Sequence, residues 1–150
     1  MTRYHLAQIN IARALADLDS PLMAGFMSRL NEINALAERA KGFVWRLQSD
    51  AGDATSIRVF DDPRTLINMS VWETPEDLKN FVYRSAHVEL FRDREAWFGR
   101  LSEQHQAAWW APAGHRPSAE EGRDRLLKLR EQGPSATAFT LSRPFPQPGE

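Results

Sequence analysis

LINMSVWETPEDL, residues 66–78, is the stretch on which the fold reading turns. Leu66 to Glu73 is rich in β-formers and alternates with a period of two. Ile67, Met69 and Val71 therefore face one way, and Asn68, Ser70 and Trp72 the other. Thr74-Pro75-Glu76-Asp77 then opens a helix, with a hydroxyl at the N-cap, a proline in the first turn and two early acids. Leu78, Phe81 and Val82 give that helix its apolar stripe.

Upstream, Tyr4 to Ile11 reads as a strand and Ala12 to Asp19 as a connector. Ser20-Pro21 opens a helix on which Leu22, Phe26, Leu30, Ile33, Ala37 and Ala40 share one face, and Gly42 ends it. Residues 43–48 form a second strand, with Phe43, Trp45 and Leu47 on one side. Turns at 50–53 and 61–63 bracket a short extended piece, Ser56 to Phe60. Downstream, a helix kinked from the preceding one spans Ala86 to Leu101, and His105 to Ala111 is a strand. After a rigid turn at 112–117, Ser118 and Glu121 form a capping box for a helix that Gly133-Pro134 closes. Phe139 to Leu141 supplies a short edge strand.

The order β-α-β-β-α-β, followed by a C-terminal helix, is the split βαβ of an α+β ferredoxin-like fold with an antiparallel sheet. Residues 1–142 make a single domain and 143–150 a proline-rich tail. Helices on one face of the sheet leave the other bare, and an apolar bare face is expected to be covered in a homodimer.

Composition narrows the function classes. Nineteen basic residues against twenty acidic ones leave no footprint for nucleic acid or an anionic membrane surface. The absence of cysteine excludes disulfides, thiolate nucleophiles and cysteine metal sites, and suits a reducing cytoplasm. The first residues lack the apolar core of a signal peptide, and no apolar run is long enough to span a bilayer, so a cytoplasmic chain without a membrane is expected. His5, His87, His105 and His115 show no clustered metal-ligand spacing, so the metal expectation is none. Phosphate-binding glycine loops and the nucleophile elbow are also missing from the sequence.

Lys41-Gly-Phe43, the run from Met69 to Leu78 and His87 resemble the dimeric α+β barrel superfamily, in particular the antibiotic-biosynthesis monooxygenases. The segment Trp109-Trp-Ala-Pro-Ala-Gly-His-Arg-Pro117 is similar to a related bacterial family of unknown function with this fold. The first likeness covers roughly residues 4–111 and concerns the fold more than the chemistry. In those monooxygenases an asparagine and a tryptophan four residues later share a strand face in the pocket, a spacing that Asn68 and Trp72 match. The family's tyrosine on the next helix falls at Leu78 here, and Tyr83 stands more than a turn further on. The resemblance implies a cofactor-independent monooxygenase, in which a substrate deprotonated to a carbanion reacts directly with O₂. Some proteins of this fold bind haem through a histidine, which makes haem the alternative cofactor and His87 the ligand to test.

Each candidate residue carries two readings. Asn68, Ser70 and Trp72 either form a pocket wall that orients a small organic ligand or lie in solvent or at a subunit contact. His87 and Arg94 lie two turns apart on one helix side among apolar residues. They are a satisfied histidine with a snorkelling arginine, or a general base with an enolate-stabilising cation. Asn34 interrupts the apolar side of the first helix as a boundary residue or a ligand contact, and Tyr83 is a further contact to consider. His115 caps the 112–117 turn or swings over a pocket mouth. Three functions follow: an enzyme (oxygenase, isomerase or cyclase) acting on an enolisable aromatic or polyketide-like molecule, a non-catalytic ligand-binding or stress-associated dimer, and a purely structural dimer with a filled core.

Overall fold

The computed structural model describes residues 3–49, 52–84, 96–101 and 103–149. Five strands, β1 (Tyr4–Ala14), β2 (Phe43–Arg46), β3 (Thr65–Trp72), β4 (Phe98–Gly99) and β5 (Gln106–Pro112), form one sheet. Among the described residues the α-helices are α1 (Ala24–Arg39), α2 (Pro75–Arg84) and α3 (Ala119–Gln132). β3 lies between β1 and β2, while β5 and β4 share the opposite edge of β1, and every neighbouring pair is antiparallel. The fold is thus the expected split βαβ with an added C-terminal helix.

Several boundaries depart from the sequence reading, each for a local reason. β1 runs on to Ala14, because Arg13 and Ala14 find Gly99 and Phe98 as partners and Arg13 also pairs with Thr65. Residues 97–101, expected to end a helix, are not helical. Trp97 enters the core beside Ala14, Met23, Phe26 and Leu66, and the next two residues are β4. Residues 85–95 of that helix lie outside the described residues. Pro21–Met23 is a single 3-10 turn before α1, because the Ser20 hydroxyl donates to the carbonyl of Asp17 at 2.6 Å instead of capping. The extended piece expected over Ser56 to Phe60 is not a strand: residues 57–59 have no regular structure and lie between turns. Phe139 bonds both ways to Ala108 as an isolated bridge at the edge of β5.

Gly42 marks the end of α1 with φ +83°. A Cβ there would also collide with the carboxylate of Asp77 on α2, so backbone geometry and close approach both require glycine. Just beyond it, a β-bulge at Val44 alters the expected alternation. Phe43 opposes Trp72 and packs towards α1 and α2, whereas Trp45 opposes Val71 and packs on the far face with Leu47.

That far face is not bare. Ala7, Ile9, Ile11, Ile67, Met69, Val71, Ala107, Trp109 and Ala111 are all 5% exposed or less. α3 covers them with Ala119, Leu126 and Leu129, and Ile57, Val59 and Phe60 close the side. The gap that led us to expect a second copy is filled within the chain. At the C-terminal end, Phe145 stacks on Phe139 and its carbonyl accepts the Trp110 indole N–H at 2.8 Å, so residues 143–149 are tied to the domain at one point.

Candidate functional site

The side of the sheet facing α1 and α2 is laid out in rows by the strand register. Trp110, Leu6, Trp72 and Phe43 make one row across β5, β1, β3 and β2. Ala108, Gln8, Ser70 and Arg46 make the next, and Gln106, Asn10 and Asn68 the third. The first row belongs to an apolar cluster with Ile33, Leu78 and Phe81. Beyond the third row, Leu66 and Ala14 belong to another, with Met23, Phe26 and Trp97. A polar band of carboxamides and a hydroxyl therefore crosses the sheet between two apolar clusters.

Hydrogen bonds lock part of the band. Gln8, 5% exposed, donates from Nε2 to Asn68 Oδ1 at 2.9 Å and to Ser70 Oγ at 2.8 Å. The Trp72 indole N–H also donates to Ser70 Oγ, at 2.8 Å. Gln106 accepts the backbone N–H of Leu141 at 3.3 Å. Arg46 pairs with Glu38 of α1 at 2.8 Å. Asn10 and Asn68, opposite each other on the two central strands, are nevertheless exposed. Side chains there would ordinarily be covered by the helix layer, so the band opens to solvent at this pair.

Of the residues singled out from sequence, Asn68 and Ser70 are brought together in the band. Trp72 adjoins it but lies inside the core at 1% exposure, stacked on Phe81 at 5.4 Å and edge-on to Phe43 at 5.5 Å. The ring supports Ser70 from within instead of lining an open wall. Asn34 is half-buried on α1. Tyr83 is 63% exposed, turned away from the buried side of α2 that Leu78 and Phe81 define. His87 and Arg94 lie outside the described residues. Gln8 and Asn10 were missed, although residues 6–11 carry the signal in the same alternation as 66–72: Gln8 and Asn10 on one side, Ala7, Ile9 and Ile11 on the other.

His115 belongs elsewhere. Its Nε2 is 2.8 Å from Glu121 Oε1, and Glu121 Oε2 accepts the Trp109 indole N–H at 3.1 Å. Ser118 caps the Glu121 N–H at 3.1 Å, but the Glu121 carboxylate goes to Trp109 and His115, so the expected capping box forms on one side only. The cluster fastens the 112–117 turn and β5 to α3. Glu121→Ala is expected to lower stability by about 1–3 kcal/mol, because it strands a buried indole N–H. Thermal unfolding of the variant beside Glu121→Gln, which keeps an acceptor, checks this.

Among the described residues, no group of three His, Cys, Asp or Glu side chains is placed to hold a metal ion. No described helix is long and apolar enough to cross a membrane.

The chain belongs to the family described as a domain of unknown function, DUF3291, whose model matches residues 5–150. No curated protein matches it. Solved structures similar to it include SnoaB, a cofactor-independent oxygenase from Streptomyces nogalater, at 14% identity and TM-score 0.47, covering 77% of this chain and 96% of that one. A protein from Nitrosomonas europaea, proposed to be an antibiotic biosynthesis monooxygenase, is 15% identical at TM-score 0.48, covering 79% and 97%. MupZ from Pseudomonas fluorescens is 14% identical at TM-score 0.45, covering 99% and 92%. The two likenesses read from the sequence, to monooxygenases of this kind and to a bacterial family of unknown function, both recur here.

Proposed function

We propose that the open end of the amide band binds a small, uncharged organic molecule bearing oxygen or nitrogen functions. The observation that carries this reading is the exposed pair Asn10 and Asn68 on the central strands, continuous with the buried Gln8 and Ser70. Carboxamides both donate and accept, so they suit carbonyl, hydroxyl and amide groups alike. Among the described residues of the band, the charge of Arg46 is already met by Glu38, which favours an uncharged ligand. The apolar clusters on either side suit the body of such a molecule. A cytoplasmic setting accords with the cysteine-free sequence.

Native mass spectrometry of the purified chain, followed by titration with a panel of neutral aromatic ketones and phenols, tests this. Asn10→Ala and Asn68→Ala should each weaken binding about tenfold, the loss of one good hydrogen bond. Asn10→Ala should move stability by no more than about 0.5 kcal/mol, whereas Asn68→Ala should cost about 1–3 kcal/mol, because it leaves the buried Gln8 Nε2 without one of its acceptors. Unchanged affinity in both variants would overturn the assignment.

Cofactor-independent oxygenation of an enolisable aromatic or polyketide-like ligand is the second reading, supported by the family spacing of Asn68 and Trp72. Isomerisation or cyclisation would use the same groups. Carboxamides and hydroxyls do not remove a carbon-bound proton at neutral pH, so a base must be added to the band. His87 is assigned that role and Arg94 the stabilisation of the resulting enolate. Turnover that is lost as pH is lowered through the histidine range and vanishes in His87→Gln supports it; turnover that survives the substitution removes His87 as the base. The haem alternative also hangs on His87, and an absorbance spectrum of the purified chain distinguishes it.

A further inference from the structure

We infer that α3 closes, within one chain, the sheet face that a second copy would otherwise occupy, and that the chain does not self-associate through that face. The nine apolar residues of β1, β3 and β5 on that side are all 5% exposed or less without any partner. The fit is close as well as complete. Gly122 lies so near Met69 and Ile9 that a Cβ on it would stand 2.7 Å from Met69 Sδ and 3.1 Å from Ile9 Cδ1. No room is left between helix and sheet for another element.

The edges of α3 are fastened too. Arg123 donates to the carbonyl of Val59 at 3.3 Å, Arg125 to that of Thr137 at 2.8 Å and Arg130 to that of Gln104 at 2.7 Å. These charge-assisted bonds reach three separate segments around the sheet, so the helix is held from several sides. Arg125 also lies over the Trp109 ring at 5.7 Å. Outward, α3 presents Glu120, Asp124, Leu127, Glu131 and Gln132. A largely polar surface with one leucine is a poor seat for a second sheet.

Light scattering and hydrogen exchange on the full chain, over a wide concentration range, test the inference together. A mass of 17.1 kDa with α3 amides as protected as those of β1 is the expected result. A larger mass with α3 still protected puts the contact on another surface and leaves the sheet face closed, as inferred. A doubled mass with protection lost over residues 119–132 would overturn it, because the helix would have yielded to a second sheet. Rapid exchange of α3 in a monomer would overturn it equally. Leu126→Asp with Leu129→Asp should turn the chain into a concentration-dependent associating species; if that variant fails to fold, the wild-type measurement decides alone.

Discussion

Gly122→Val is expected to lower the unfolding free energy by about 3 kcal/mol, the upper part of the usual range for overpacking a well-filled core. The argument is steric. Added carbon at this position meets Met69 Sδ at 2.7 Å, Met69 Cε at 2.9 Å and Ile9 Cδ1 at 3.1 Å. Met69 and Ile9 are 1% and 0% exposed, so neither can swing into solvent to make space. Gly122→Ala is the more discriminating variant because two effects oppose each other. Helix propensity favours alanine by roughly 1 kcal/mol, whereas the collision costs about 1–3 kcal/mol. A net loss of up to about 2 kcal/mol follows, read as a lower urea midpoint at unchanged slope. An alanine variant more stable than the wild type would show that α3 does not press on the sheet as described.

Trp72→Ala should cost about 3–5 kcal/mol, the range for emptying a large aromatic site in a core. The indole is 1% exposed, is stacked on Phe81 and meets Phe43 edge-on, and its N–H satisfies Ser70. Trp72→Phe keeps the ring contacts and loses the hydrogen bond and a small volume, so about 1–2 kcal/mol is expected. Binding in the phenylalanine variant separates a core role from a wall role. Affinity within a few-fold of wild type, with reduced stability, agrees with a ring enclosed behind Ser70. A loss beyond about tenfold at undiminished stability would place the ring against the ligand.

Much of the fold was legible because its signals are local. The period of two in residues 66–72, the proline and acids after Thr74, and the glycine after Lys41 each act within a few residues. What was not legible depends on partners far away in sequence. β1 gains Ala12 and Arg13 from pairing with β3 and Arg13 and Ala14 from pairing with β4, and the aromatic run at 97–98 reads as helix until the second pairing is seen. The bulge at Val44 moves Trp45 to the opposite face without any mark such as glycine in β2 itself. At the candidate site, Asn68 and Ser70 could be read from alternation. Gln8 and Asn10 needed the register that sets β1 against β3 and so places them beside Ser70 and Asn68. Trp72 was harder still: alternation assigns it a side of the sheet, but its depth is set by Phe43 and Phe81, which arrive from β2 and α2.

The place of β1 also has a consequence during synthesis. This strand is made before its partners: its neighbours on the two edges lie about 60 and 100 residues downstream, and the cover for one of its faces comes later still, in Leu126 and Leu129. A nascent chain cannot bury Ile9, Ile67 and Met69 until residues 119–132 have emerged. Such non-local pairing slows folding and leaves apolar strands open to neighbouring chains meanwhile. Folding thus waits for α3, and a chain broken off before that helix presents to the cell the apolar surface that the folded domain keeps out of water.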